Sequence, residues 1–278
     1  MTRTYEFICL QQRDWANRLG VKIDKEGYTL SLKDNLYKSL SLETEKEFKS
    51  GKGEELGNLG SRGKMQALHS SSSLVVNVFE YWRKHNVDEI ARACGAPRGM
   101  TEMRFEQTHP TPLRGIPPHL DVEFHGIGLK PLAIESKFTE PYQRHTKRAI
   151  KDGYFSKPSV WAQFPRCERL AKRIHKEEQG RTSFVYLDAP QLLKHILGLG
   201  TAFGPMNFEL LYLWYEVPSP EAERHRTEIE DFKEHIGDEV HFNVMPYQQL
   251  FEVLKGCPNS DRDYLSYLGQ RYFPSQID

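Results

Sequence analysis

His119-Leu120-Asp121-Val122-Glu123-Phe124 and Pro131-Leu132-Ala133-Ile134-Glu135-Ser136-Lys137-Phe138, separated by the turn signal Gly126-Ile127-Gly128, decide how this chain folds. Apolar and polar residues alternate in each stretch, so each reads as a strand with one buried face and one face free for chemistry. Leu120, Val122 and Phe124 point one way, Asp121 and Glu123 the other. On the second strand Leu132, Ile134 and Phe138 oppose Glu135 and Lys137. A turn centred near Ile127 and Gly128 sets Asp121 opposite Glu135, with Cβ atoms about 4.5–5.5 Å apart. Two carboxylates that close repel unless a cation or a shared proton lies between them. With Lys137 two residues along the same face, the arrangement reads as a divalent-metal site facing a phosphodiester.

An Asp on one strand followed by Glu-x-Lys on the next resembles the PD-(D/E)XK nuclease superfamily, the restriction-endonuclease-like fold. Thirteen residues, 122 to 134, separate Asp121 from Glu135, which suits the hairpin of that family. Leu120 stands where the family name specifies proline, and a proline occurs instead at Pro118. An isolated Asp and Glu-x-Lys are a weak pattern; the hairpin register and the apolar flanks strengthen it. The chain also resembles a small bacterial restriction-endonuclease-like family with His-Ser-Ser before its first helix, here His69-Ser70-Ser71. That family likewise carries Asp then Glu-Ser-Lys, and Gln-Leu-Leu-Lys-His.

At 278 residues the chain is long enough for a substantial core. Hydrophobic residues at 38% and charged residues at 27% exclude a disordered chain. No apolar run approaches a membrane span, and Met1-Thr2-Arg3-Thr4 lacks a signal-peptide core. Cys9, Cys94, Cys167 and Cys257 are scattered with no CxxC pair, which fits neither a zinc site nor a disulfide framework and suggests a reducing, cytoplasmic setting. The formal net charge is zero, but its distribution is uneven. Lys137 to Arg181 holds twelve Lys and Arg against five acids, and Glu216 to Glu239 holds nine acids against three bases. The basic stretch is a candidate to follow a phosphate backbone through Lys147, Arg148 and Lys151, with a solvated helical face as the competing reading.

Outward from the hairpin, the N-terminal extension (1–64) holds a short strand candidate at Tyr28–Leu32 and a glycine-rich stretch that reads as a mobile loop. Gly63-Lys64 imitates a phosphate-binding loop, but Asn58 and Met65 stand where glycine and Ser/Thr are required. Residues 65–86 have helical spacing, with Ser70 to Ser73 as candidate N-caps. In many PD-(D/E)XK nucleases a Glu from the first core helix supports the metal site, and Glu80 takes that place by resemblance. Met103-Arg104-Phe105-Glu106 reads as a strand entering the hairpin, with Glu106 as a further carboxylate candidate. Residues 140–179 read as mainly helical, interrupted by Pro158 and Pro165. Asp188 with Gln191 forms a capping-box pattern. Gln191-Leu192-Leu193-Lys194-His195 also resembles the Gln-x-x-x-Tyr of RecB-like and phage-exonuclease-like branches, with His in place of Tyr. Gln191 is thus a candidate for substrate or metal-shell contact, and Lys194 or His195 for phosphate. Strands at 209–217 and 241–245 and a helix at 247–254 complete an α/β sandwich with a mixed sheet, the αβββαβ order of the superfamily with insertions. The nuclease-like domain spans 65–254, and 255–278 reads as a tail packed on it.

The resemblance implies hydrolysis of a phosphodiester in nucleic acid, with DNA the expected substrate and a 5′-phosphate product. Asp121, Glu135 and the Ser136 carbonyl would bind Mg²⁺ or Mn²⁺ through hard oxygens, Lys137 would stabilise transition-state charge, and Glu80 or Glu106 would complete a second metal position. Two other readings compete. One is a nuclease-fold protein that binds nucleic acid in a larger assembly without cutting. The other is a sugar hydrolase, since paired acids near 5 Å suit retaining glycosidases; Lys137 and the basic stretch favour a polyanion. Specificity, pathway and oligomeric state stay open, a homodimer included.

Overall fold

Every strand expected from Met103 onward forms in its place. The computed structural model describes residues 2–51, 53–58, 60–113, 117–145, 150–177 and 183–274. Its sheet contains β1 (Glu102–Thr108), β2 (His119–His125), β3 (Leu132–Lys137), β4 (Glu209–Trp214) and β5 (His241–Pro246), side by side in chain order. The first two pairings are antiparallel and the last two parallel. Val122 pairs with Ile134, Glu123 with Ala133 and Phe124 with Leu132, the register that the turn dictates. Gly128 closes that turn at φ +72°, which glycine adopts without steric cost. Gly126 lies so near the Gly99 carbonyl that a Cβ would come within 2.4 Å of it.

The helices are α1 (Arg3–Arg18), α2 (Leu42–Ser50), α3 (Ser71–His85), α4 (Val87–Ala93), α5 (Pro165–Lys176), α6 (Ala189–Phe203), α7 (Pro220–Ile236), α8 (Tyr247–Lys255) and α9 (Arg262–Tyr272). Ser70 caps α3 by accepting the Ser73 N–H, and Asp188 caps α6 by accepting that of Gln191. Pro165 opens α5 instead of interrupting a helix, because the first turn needs no N–H from it. Ahead of it, the expected helical stretch contains three short 3-10 turns, at Glu140–Tyr142, Asp152–Phe155 and Pro158–Val160. The strand candidate near Tyr28 reduces to two isolated bridges, Ile23 with Thr29 and Tyr28 with Ala67.

Helices cover both faces of the sheet. On one side Phe124 meets Phe79 of α3, the Ser136 hydroxyl meets the Tyr247 hydroxyl of α8 at 2.6 Å, and Phe138 meets Tyr272 of α9. On the other side Glu135 and Lys137 face α6, and Tyr212 and Trp214 pack on His225 of α7. One hydrophobic cluster runs from Ile8 to Phe273, so the N-terminal and C-terminal segments share the core of the sheet. Arg271, fully buried, ties them together: its guanidinium donates to Gln12 Oε1, to Asn35 O and Oδ1, and to Leu68 O.

The opposite charge blocks meet each other. The basic α5 packs on the acidic α7, with Arg173 on Asp231 at 2.7 Å and the Arg166 guanidinium on the carbonyls of Glu234 and His235. The Glu239 carboxylate, just past α7, accepts the first N–H groups of α5. Much of the basic stretch is therefore neutralised within the molecule. Lys151 is exposed, while Lys147 and Arg148 lie outside the described residues. No helix among the described residues is long and apolar enough to cross a membrane.

Candidate active site

Asp121, Glu135, Ser136, Lys137, Gln191 and His195 converge where β2 and β3 part beneath α6. The β2–β3 ladder ends at Val122 and Ile134. One step beyond, where Asp121 falls opposite Glu135, the Ser136 N–H donates to Asp121 Oδ2 at 2.7 Å. Lys137 Nζ lies 2.5 Å from Glu135 Oε1 and donates to Gln191 Oε1 at 3.0 Å. The Gln191 side chain is thus used on the lysine, leaving only the Asp188 half of the capping pattern in place. His195 Nε2 comes within 2.9 Å of Glu135 Oε2 but out of line for a hydrogen bond, so that buried oxygen has no hydrogen-bond partner among the described residues. His195 is buried against the carboxylate, not turned outward to a phosphate; Lys194 beside it is partly exposed.

Burial and neighbouring charge drive the two carboxyls apart. Asp121 keeps some access to solvent, yet the protein around it and the charge of Glu135 raise its carboxyl well above the usual range. Glu135, 1% exposed, is pushed up by burial, but Lys137 and His195 outweigh that and hold it below the usual range. Burial pulls the Lys137 ammonium down, but the charges of Glu135, Glu140 and Asp121 outweigh it and hold it above the usual range. The pair therefore consists of one ionised acid locked to a lysine and one acid driven toward its neutral form.

Glu106 faces this pair from β1, and its charge also raises Asp121. Its backbone sits at φ +52°, a left-handed conformation unusual for glutamate, and its Oε2 lies 3.3 Å from His119 Nδ1. Two further carboxylates are absent from the sequence reading. Glu140 accepts the Phe138 N–H at 2.8 Å and acts electrostatically on Lys137. Glu55 accepts from Ser72 at 2.7 Å, and its carboxyl is raised by burial and by Glu106 and Glu140. The glycine-rich stretch carries it there through a tight crossing, in which a Cβ on Gly63 would lie 2.3 Å from the Glu55 carbonyl. Glu140 was signalled by its place three residues after Lys137; Glu55 had no local signal.

Glu80 is not brought to this group. Its carboxylate accepts the Ser41 N–H at 2.9 Å and the Thr44 hydroxyl at 2.6 Å, pinning the start of α2 to α3. Along β2, Glu123 is buried between His109 Nε2 at 2.7 Å and His125 Nε2 at 2.9 Å. Burial would raise its carboxyl, and the two imidazoles hold it at about 2 instead.

Residues 10–273 match the model of a protein family described as restriction endonuclease associating with ARP. The chain belongs to this family. Its mixed five-stranded sheet with helices on both faces is compatible with the restriction-endonuclease-like fold. No curated protein and no solved structure matches the chain.

Restriction-endonuclease-like nucleases generally use divalent metals. Among the described residues no three His, Cys, Asp or Glu side chains form a ready metal cage. The donor set nevertheless fits a hard cation that keeps several waters and needs few protein oxygens. One carboxylate presents a buried oxygen that no described donor satisfies, and the other is driven toward its neutral form by burial and like charge. A positive charge beside them relieves both.

Proposed function

We propose that this family member is a metal-dependent nuclease that hydrolyses phosphodiester bonds, with DNA as its substrate. The observation that carries this reading is the meeting of Asp121, Glu135 and Lys137 at the parting of two adjacent strands, with Gln191 reaching the lysine from α6. Asp121, Glu135 and the Ser136 carbonyl are the groups that would hold Mg²⁺ or Mn²⁺, and Glu106 stands near enough to add its charge. When bound, such a metal supplies polarisation of the phosphate and acidity to a coordinated water.

The protein's own groups have separate tasks. Lys137 keeps its proton in a buried setting and presents it to charge that builds on the phosphoryl oxygens. Gln191 fixes the direction of the ammonium. His195 lies against the far side of Glu135, which limits the rotamers of that carboxylate. Lys151 and Lys194 are proposed for phosphate contact, together with Lys147 and Arg148. The catalytic unit is taken as 65–254, with 1–64 and 255–278 packed on it. The family description names an association with ARP, which we extend to this chain.

The test is incubation of the purified protein with linear, circular and single-stranded DNA, with and without Mg²⁺ or Mn²⁺. Cleavage that needs the metal and vanishes in Asp121→Ala and Glu135→Ala supports the proposal. Metal-independent cleavage, or full activity in either variant, refutes it.

A further inference from the structure

The inward side of α1 is buried through Thr4, Ile8, Gln12, Trp15 and Ala16. Its outward side carries a second pattern. Arg3, Phe7, Leu10 and Asp14 follow at spacings of four, three and four residues, the seam spacing of paired helices, and all four are exposed. Phe7 is 55% exposed and Leu10 60%, an unusual outlay of large apolar surface on one helix. Neither Arg3 nor Asp14 has a side-chain partner among the described residues.

We propose that this stripe pairs with the same stripe of a second copy of the chain, the two α1 helices antiparallel about a two-fold axis passing between Ile8 and Cys9. Turned end for end about that point, the stripe falls on itself with its charges exchanged. Arg3 meets Asp14 of the second copy, and Phe7 meets its Leu10. Each contact occurs twice, as an interface on a two-fold axis requires. A hollow lies beside each apolar side chain. Phe7 borders a cleft of about 840 Å³ walled by Val217, Pro218 and Phe273, and Leu10 borders one of about 420 Å³ walled by Cys9 and Leu68. Each cleft can take the opposing side chain, as knobs enter holes in paired helices. The Thr2 hydroxyl donates to the Tyr142 carbonyl at 2.6 Å, so the pairing surface adjoins the segment that follows Lys137. The inference does not depend on the nuclease reading.

Charge reversal tests the pairing through sedimentation velocity on the full chain, a 32.3 kDa monomer. The unaltered protein should sediment at twice that mass. Arg3→Glu places like charges together at both ends, as does Asp14→Arg, and each should raise the dimer dissociation constant at least about tenfold. An equal mixture of the two single variants should recover the dimer, because every cross pair is again opposite in charge; so should the double variant R3E/D14R. Phe7→Glu should abolish pairing with an unchanged circular dichroism spectrum, and Leu10→Glu is the substitute where Phe7→Glu fails to fold. A monomeric unaltered protein, a dimer indifferent to these changes, or a mixture that stays monomeric overturns the proposal.

Discussion

Replacing Glu123 by Gln should cost stability in a way that depends on pH. Glu123 is 1% exposed and lies between His109 and His125, whose imidazoles hold its carboxyl at about 2 against an ordinary 4.5. That gap corresponds to about 3 kcal/mol of preference for the ionised form in the folded protein. Because the folded value is depressed, the contribution is complete above the unfolded value and is lost as pH falls toward 2. At about pH 5.5 the carboxyl is ionised and nearly all of the contribution is present; at about pH 3 less than half remains. Gln keeps the size of the side chain and can still hydrogen-bond to His109, but it cannot carry the charge. Urea unfolding of both proteins at the two pH values, read as free energies at constant m, isolates the effect. The variant should be less stable by about 3 kcal/mol at about pH 5.5, with a gap at most half as large at about pH 3. A gap below about 1 kcal/mol at the higher pH, or an equal gap at both, would refute the claim that ionic pairing holds this strand. The strand concerned also carries Asp121, two residues away on the same face.

Asp121→Asn should abolish cleavage and, without metal, raise the melting temperature at neutral pH. An acid whose folded value is raised costs stability once the pH climbs above its unfolded value, and Asn keeps an acceptor for the Ser136 N–H; calorimetry in a chelator reads this, and an unchanged or lower melting temperature counts against it. Lys137→Met should slow cleavage on the order of 10²–10³ while DNA affinity changes far less; rate and gel-shift measurements on one preparation separate these, and equal losses would make Lys137 an anchor. Glu80→Ala should cost about 1–3 kcal/mol by stranding the Ser41 and Thr44 donors, without altering metal affinity; a lost metal isotherm in titration calorimetry would return Glu80 to the site.

The hairpin was legible because alternation and one turn suffice to set a register, and the strands pair Val122 with Ile134 as the turn requires. Gln191 was singled out by its resemblance to Gln-x-x-x-Tyr, with a capping box competing for its side chain; the side chain lies on Lys137 instead. What escaped depends on segments distant in sequence. Helical spacing correctly put Glu80 on α3 but could not say that Ser41 and Thr44 would cover it. Charge counts found a basic and an acidic block without showing that α5 and α7 face each other. Glu55 enters through the crossing of Gly57 and Gly63, whose close backbone approach leaves no periodic trace. Glu106 was named from its alternation with Phe105, but its left-handed backbone is invisible to a pattern that assumes a regular strand.

The outer carboxylates share a sign, and that bears on how the site works. With Asp121 driven toward its neutral form, Glu135 and Lys137 alone balance, and a balanced buried group has little reason to recruit a cation. Glu106 and Glu140 add negative charge that acts on Asp121 and Lys137, and Glu55 adds its own beside them. Their effect on the two key groups differs. The same field that raises Asp121 toward its neutral form also secures the proton on Lys137, so loss of one outer carboxylate should weaken both metal uptake and the lysine's charge. Glu140→Gln tests this without touching a metal-holding residue. Metal titrations should show weaker binding, and the alkaline limb of the cleavage pH profile, where Lys137 gives up its proton, should move to lower pH. A variant with unchanged metal affinity and an unchanged alkaline limb would mean that the outer carboxylates are scaffolding, and that the Asp121–Glu135–Lys137 group sets its own electrostatics.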